Sequence, residues 1–263
     1  MKWIMIVTVL VTMITNAAWA KPSHFDPPHK ATLSSRASAP ALTFRFRNIV
    51  DDRPLVLFDS MHVYTNANGD PYIITTFKYY ISNIRLIRKN GDTVYLPESY
   101  LLVNAADSES LVQRLSDIPP GRYKAVTFII GIDSLRNFSG AQTGCLDPAR
   151  GMFWTWNTGY IFVKMEGRSE RSTAKQNRLV FHIGGAKTPT NTIRTFTQVF
   201  PHTLKVKKGH QPQIDLAVNA AALFRGKTQV DFSTLNFTMG GPNSVLIADN
   251  YADGLFRVAD VKK

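Results

Sequence analysis

Apolar and polar residues alternate with a period of two along most of this chain, the spacing of strands that bury one face. Leu42, Phe44 and Phe46 alternate with Thr43, Arg45 and Arg47 and predict an opening strand. A second strand is expected over about 77–88, with Asn90-Gly91 as a type I′ hairpin signal before residues 93–96 return. Pro119-Pro120-Gly121 introduces a strand over 123–132, in which Phe128, Ile130 and Ile132 share a face. Further strands are expected over 160–165, 178–183, 193–200, 204–206 and 213–218. The polar segment 166–177 is expected to be a mobile connection, and Lys208-Gly209 a turn. Near the end, Asn243 or Ser244 caps a short helix with Val245, Ala248 and Tyr251 on one face. Many short strands and little helix predict an all-β fold, an antiparallel β-sandwich with a short C-terminal helix.

The first twenty residues depart from this alternation. Lys2, an apolar run from Trp3 to Ile14 and Ala18-Trp19-Ala20 form the pattern of a secretory signal with a small-x-small cleavage site. Residues 21–40 carry Pro22, Pro27, Pro28 and Pro40 among Ser, Lys, Arg and His, and read as a disordered linker. The remaining 41–263 form a single domain. No transmembrane segment is expected, because the N-terminal run is short and no later stretch matches it. The expected destination is the periplasm or the exterior.

Charge and cysteine content narrow the chemistry. The formal net charge is +12, but the basic residues are dispersed from Arg45 to Arg178 without an aromatic-interleaved motif, so no nucleic-acid partner is expected. Cys145 is the sole cysteine, which excludes an intrachain disulfide. Gly-x-Ser-x-Gly, His-Glu-x-x-His and paired Cys-x-x-Cys motifs are absent. Asp133, Asp147 and Glu166 offer carboxylates, but no spacing selects a pair for hydrolysis. The expectation is a protein that is not an enzyme.

The densest chemistry lies in Gly151-Met152-Phe153-Trp154-Thr155-Trp156-Asn157-Thr158-Gly159-Tyr160, with two of the four tryptophans. If that stretch is extended, Met152, Trp154 and Trp156 share a face and the indoles lie side by side. His182 points away from the face formed by Leu179, Phe181 and Ile183, with Gly184-Gly185 directly after it. It is the first candidate metal ligand, and His62 and His202 are the reserves. With Met152, Met165, Met239 and Cys145, these donors suit copper better than magnesium or calcium. A rival reading makes Trp154 and Trp156 an aromatic platform for carbohydrate or a surface polymer.

Several segments resemble a known family, the copper-binding MbnP-like proteins. They are Lys78-Tyr79-Tyr80-Ile81-Ser82-Asn83-Ile84, Gly131-Ile132-Asp133-Ser134, Leu146-Asp147-Pro148, the tryptophan stretch and Phe181-His182-Ile183-Gly184-Gly185. The resemblance implies a secreted β-rich copper binder. It also implies a partner, a dihaem protein of the cytochrome c peroxidase type that oxidises a tryptophan to kynurenine. Trp154 and Trp156 are then the candidates for modification, and His182 for a copper ligand. Opening an indole yields an aryl amine and a carbonyl beside the imidazole. Methanobactin-associated members carry four cysteines, whereas Cys145 stands alone here.

Overall fold

The computed structural model describes residues 40–156 and 159–262. The expected signal and most of the linker, together with Asn157 and Thr158, lie outside the described residues. In chain order the strands are β1 Leu42–Val50, β2 Arg53–Pro54, β3 Tyr64–Thr65, β4 Pro71–Arg88, β5 Thr93–Tyr95, β6 Tyr100–Asn104, β7 Val112–Leu115 and β8 Gly121–Ile130. They continue as β9 Phe153–Trp154, β10 Gly159–Tyr160, β11 Val163–Arg168, β12 Arg178–Ile183, β13 Arg194–Val206, β14 Gln213–Asn219, β15 Phe237–Met239 and β16 Phe256–Lys262. A helical turn, α1 Ser134–Asn137, and one longer helix, α2 Gly241–Gly254, complete the main elements.

Two sheets form the all-β sandwich. The smaller runs β16-β14-β1-β2 with β7 on β1, and the larger runs β13-β8-β4-β11-β12-β15, with β3, β5 and β6 also on β4. Most pairs are antiparallel, but β1 runs parallel to β14 and β12 parallel to β15. Aromatic rings join the two sheets. Phe46 meets Tyr79 at 6.1 Å between ring centroids, and Phe256 meets Tyr79 at 5.5 Å and Phe128 at 5.1 Å. Such edge-on pairs add specific geometry to the burial of large apolar rings.

The long strand β4 organises the site because its alternating residues feed two cores. Phe77, Tyr79 and Ile81 enter the sandwich core, whereas Tyr80 enters a second cluster with Met152, Trp154, Tyr160, Ile161 and Phe162. The strand bends at Asn83, whose φ of 53° falls where its register with β8 shifts. A short amide side chain tolerates that left-handed conformation better than a branched one.

Several local expectations give way to tertiary structure. Only Gly91 of Asn90-Gly91 has positive φ (103°), and Arg88 N donates to Asp92 O at 2.8 Å, giving a three-residue loop in place of the type I′ turn. The segment 166–177 is not a loose loop. β11 continues to Arg168, and the turn beyond is closed by Ser169 N donating to Asn177 O at 2.9 Å and Ser172 Oγ to Arg178 O at 2.7 Å. The C-terminal helix starts at Gly241 with Gly240 as its cap, ahead of Asn243 and Ser244. Its buried face is Ser244, Ile247, Ala248 and Tyr251, and Val245 is only partly covered.

Candidate metal site beside the tryptophan hairpin

The approach to the tryptophans is built from local caps. Asp147 Oδ1 accepts from Ala149 N at 2.8 Å and caps the 3-10 turn Pro148–Arg150, which Gly151 closes at φ 70°. Phe153–Trp154 then pairs with Gly159–Tyr160 as a minimal hairpin, secured by Ile161 N donating to Met152 O at 2.9 Å. The stretch is therefore not extended throughout, because Thr155 and Trp156 form a turn. The indoles still lie side by side, with centroids 5.6 Å apart and planes inclined by 44°. Their environments differ sharply. Trp154 is 5% exposed and Trp156 is 64% exposed. A two-ring platform for sugars is not presented, since one of the two faces is buried.

Two glycines shape the slot that holds Trp154. A Cβ on Gly184 would stand 2.9 Å from Cη2 and Cζ3 of the indole, and one on Gly240 would stand 3.8 Å from Cη2. Gly184 follows the end of β12, and Gly240 N donates to His182 O at 3.3 Å. The benzo edge of Trp154 is thus seated next to the backbone that carries His182. The indole Nε1 is buried and has no hydrogen-bond partner among the described residues. A buried donor left without an acceptor costs about 1–3 kcal/mol.

His182 lies on the outer face of β12, as the alternation predicted, yet it is buried at 7% exposure. Its Nε2 is 2.7 Å from Glu166 Oε1, and the same carboxylate accepts from Thr76 Oγ1 at 3.1 Å and faces Lys164 Nζ at 3.4 Å. The His182 hydrogen bond, reinforced by Lys164 and opposed by burial, holds the Glu166 carboxyl down at about 2. Glu166 is therefore ionised and accepts the proton of His182 Nε2. In the neutral ring this hydrogen bond selects the tautomer with its lone pair on Nδ1, the arrangement that carboxylates impose on metal-binding histidines.

Met239 is the register partner of His182 across the parallel β12–β15 pair. Both line a cavity of about 500 Å³ with Phe58, Ile73, Glu166 and Phe237. Imidazole and thioether are soft donors that suit copper better than hard cations, and Met239 also packs against the cluster that holds Trp154. Among the described residues no three His, Cys, Asp or Glu side chains gather to hold a metal ion. A metal site at His182 would therefore need donors outside that set, and the Met239 thioether is the one that shares its cavity.

The other expected donors do not join this group. His62 is exposed and paired with Asp59, Nδ1 to Oδ2 at 2.7 Å, and His202 is exposed where β13 slips register against β8. Neither lines the His182 cavity. Met165 and Met152 are fully buried in the two cores. Cys145 is partly buried, with Sγ 3.2 Å from Tyr100 O, and burial raises its thiol pKa. Asp133 is likewise committed, accepting from Tyr100 Oη at 2.6 Å and from Arg136 N at 3.0 Å. The sequence reading placed Glu166 among possible catalytic acids and passed over Lys164. Their shared parity on β11, facing Val180 and His182 across the ladder, is the signal that would have found them.

Fold and site together define an all-β sandwich whose strand β12 carries an imidazole paired with a carboxylate and, just beyond it, the glycine against which an indole is clamped. A model of the MbnP family matches residues 39–243, and the chain belongs to that family. Among solved structures, it is similar to MbnP from Methylosinus trichosporium at 13% identity and a TM-score of 0.46, covering 70% of this chain and 76% of that one. No curated protein matches. Among the described residues no helix is long and apolar enough to cross a membrane.

Proposed function

We propose that this protein is an exported copper-binding protein whose site is formed by His182 and Met239 beside Trp154, with Trp154 oxidised to kynurenine. Membership of the MbnP family, which is associated with copper binding, supports the class of function. The observation that carries the site is the 2.7 Å contact between His182 Nε2 and Glu166, which leaves Nδ1 as the free ligand atom. The unpartnered Nε1 of Trp154 supports the choice of that indole. After ring opening this nitrogen is an aryl amine, a donor atom that the intact indole lacks.

Copper is cargo in this reading, and the protein residues hold it without turning over a substrate. Glu166 orients the imidazole, the thioether favours the reduced ion, and Gly184 and Gly240 keep the aromatic group in place. Oxidation of the tryptophan is assigned to a dihaem partner of the cytochrome c peroxidase type, encountered after export to the periplasm or exterior. Trp156, exposed at the hairpin turn, is where such a protein meets the hairpin, and its ring, 5.6 Å from that of Trp154, links the contact to the buried indole.

The test is Cu(I) titration against a competing chelator of the protein isolated from its host, combined with peptide mass spectrometry across residues 151–160. Stoichiometric binding that is lost in His182→Ala, with the kynurenine mass shift on Trp154, is the expected result. Absence of stoichiometric copper in the modified protein overturns the reading.

A further inference from the structure

Lys164 faces His182 across the β11–β12 ladder, and on its other side it faces Lys78 of β4. All three side chains stand on the outer face of the larger sheet. The Lys164 ammonium lies 3.4 Å from Glu166 Oε1, the oxygen that also receives the His182 proton, and 3.3 Å from the Gly151 carbonyl to which it donates. Its side chain is only 17% exposed, an unusual degree of cover for lysine. Lys78 has a related but simpler role, since its Nζ donates to Arg150 O at 3.1 Å. Two ammonium groups thus grip adjacent carbonyls at the end of the Pro148–Arg150 turn, where carbonyls lack partners within the turn. Gly151 leads in three residues to Trp154.

We propose that Lys164 is a positioning residue that couples the His182 ring to the tryptophan hairpin, its ammonium shared between the Glu166 carboxylate and the Gly151 carbonyl. The proposal rests on the reading of His182 and Trp154 as parts of one copper site. Lys78 grips the same loop without touching Glu166, so the two lysines separate loop anchoring from imidazole orientation. Without the Lys164 ammonium, the loop loses its tie at Gly151 and Glu166 Oε1 keeps only the imidazole.

The experiment uses the full chain, copper-free and produced without the oxidising partner so that Trp154 remains an indole, with nitrogen-15 in its histidine and tryptophan rings. Ring nitrogen resonances of His182 and the indole N–H resonance of Trp154 are compared in wild type, Lys164→Met, Lys164→Gln, Lys164→Arg and Lys78→Met. Both uncharged Lys164 variants are expected to move both sets of signals, and Lys164→Arg to restore them. Lys78→Met is expected to move the Trp154 signal alone. Folded Lys164→Met and Lys164→Gln proteins with unmoved His182 signals would overturn the proposal. So would a Lys78→Met protein that moves the His182 signals equally. In a parallel Cu(I) competition, Lys164→Met is expected to weaken binding about tenfold, as loss of a supporting residue behind a ligand does. If the resonance pattern holds while wild type binds no Cu(I), the coupling stands and the copper assignment falls.

Discussion

Trp154 is packed so closely against Gly184 that a Cβ added there would lie 2.9 Å from its Cη2 and Cζ3 atoms and 2.5 Å from the Tyr160 carbonyl oxygen. At such distances the backbone or the buried ring must shift. Gly184→Ala is expected to destabilise the fold by about 1–3 kcal/mol through overpacking and to displace the indole. Chemical denaturation measures the first effect, and a red shift of tryptophan emission the second.

The two indoles should respond differently to truncation. Trp154→Ala removes a buried ring and is expected to cost about 3–5 kcal/mol. Trp156→Ala gives up only a tilted stacking contact at the surface and is expected to cost about 1 kcal/mol or less. Outside residues 1–20 these are the only tryptophans, so emission from a chain lacking that segment reports on them alone. Acrylamide should quench Trp156 readily and Trp154 poorly.

Glu166 gives stability a defined acid dependence. Its pKa falls from an ordinary 4.5 to about 2 because the ionised form accepts from His182. The folded state therefore prefers the carboxylate, and the associated stability is fully present above 4.5 and is lost as pH falls toward 2. With the side chain 33% exposed, solvent screening leaves on the order of 1–2 kcal/mol of the effect. Denaturation curves at pH 2–6 should show this slope in wild type and a reduced slope in Glu166→Gln.

Among the histidines, copper should depend on His182 alone. His182→Ala is expected to lower Cu(I) affinity by at least about 100-fold, since the loss of a ligand exceeds the 10–100-fold typical of its supporting residues. His62→Ala and His202→Ala should bind as wild type does, because both side chains are exposed and neither lines the His182 cavity. Competition titrations of the three variants decide this. Loss of binding in His62→Ala would place a ligand on the 55–63 segment instead.

Alternation made the sandwich legible: Phe44, Phe46, Phe128, Phe181 and Leu216 are buried at the spacing of strands with one covered face. It also put His182 on the face opposite Phe181. The strands β2, β3, β6, β7, β15 and β16 are not among those expected from the alternation, and neither is the parallel pairing of β1 with β14. Which distant strands become neighbours depends on hydrogen bonds and packing across the whole chain, and no local period records it. Likewise, nothing near Trp154 or Trp156 reveals which ring is buried. That choice is made by a turn at Thr155–Trp156 and by Gly184 and Gly240, which arrive from strands far along the sequence. The sequence by itself determined the chemistry available: two indoles, an off-core imidazole, soft sulfur donors and no disulfide. Only the tertiary structure decided that Glu166 fixes the imidazole, that Met239 stands beside it and that Lys164 ties Glu166 to the Gly151 carbonyl, because these contacts bring together β11, β12, β15 and the loop before the tryptophan hairpin.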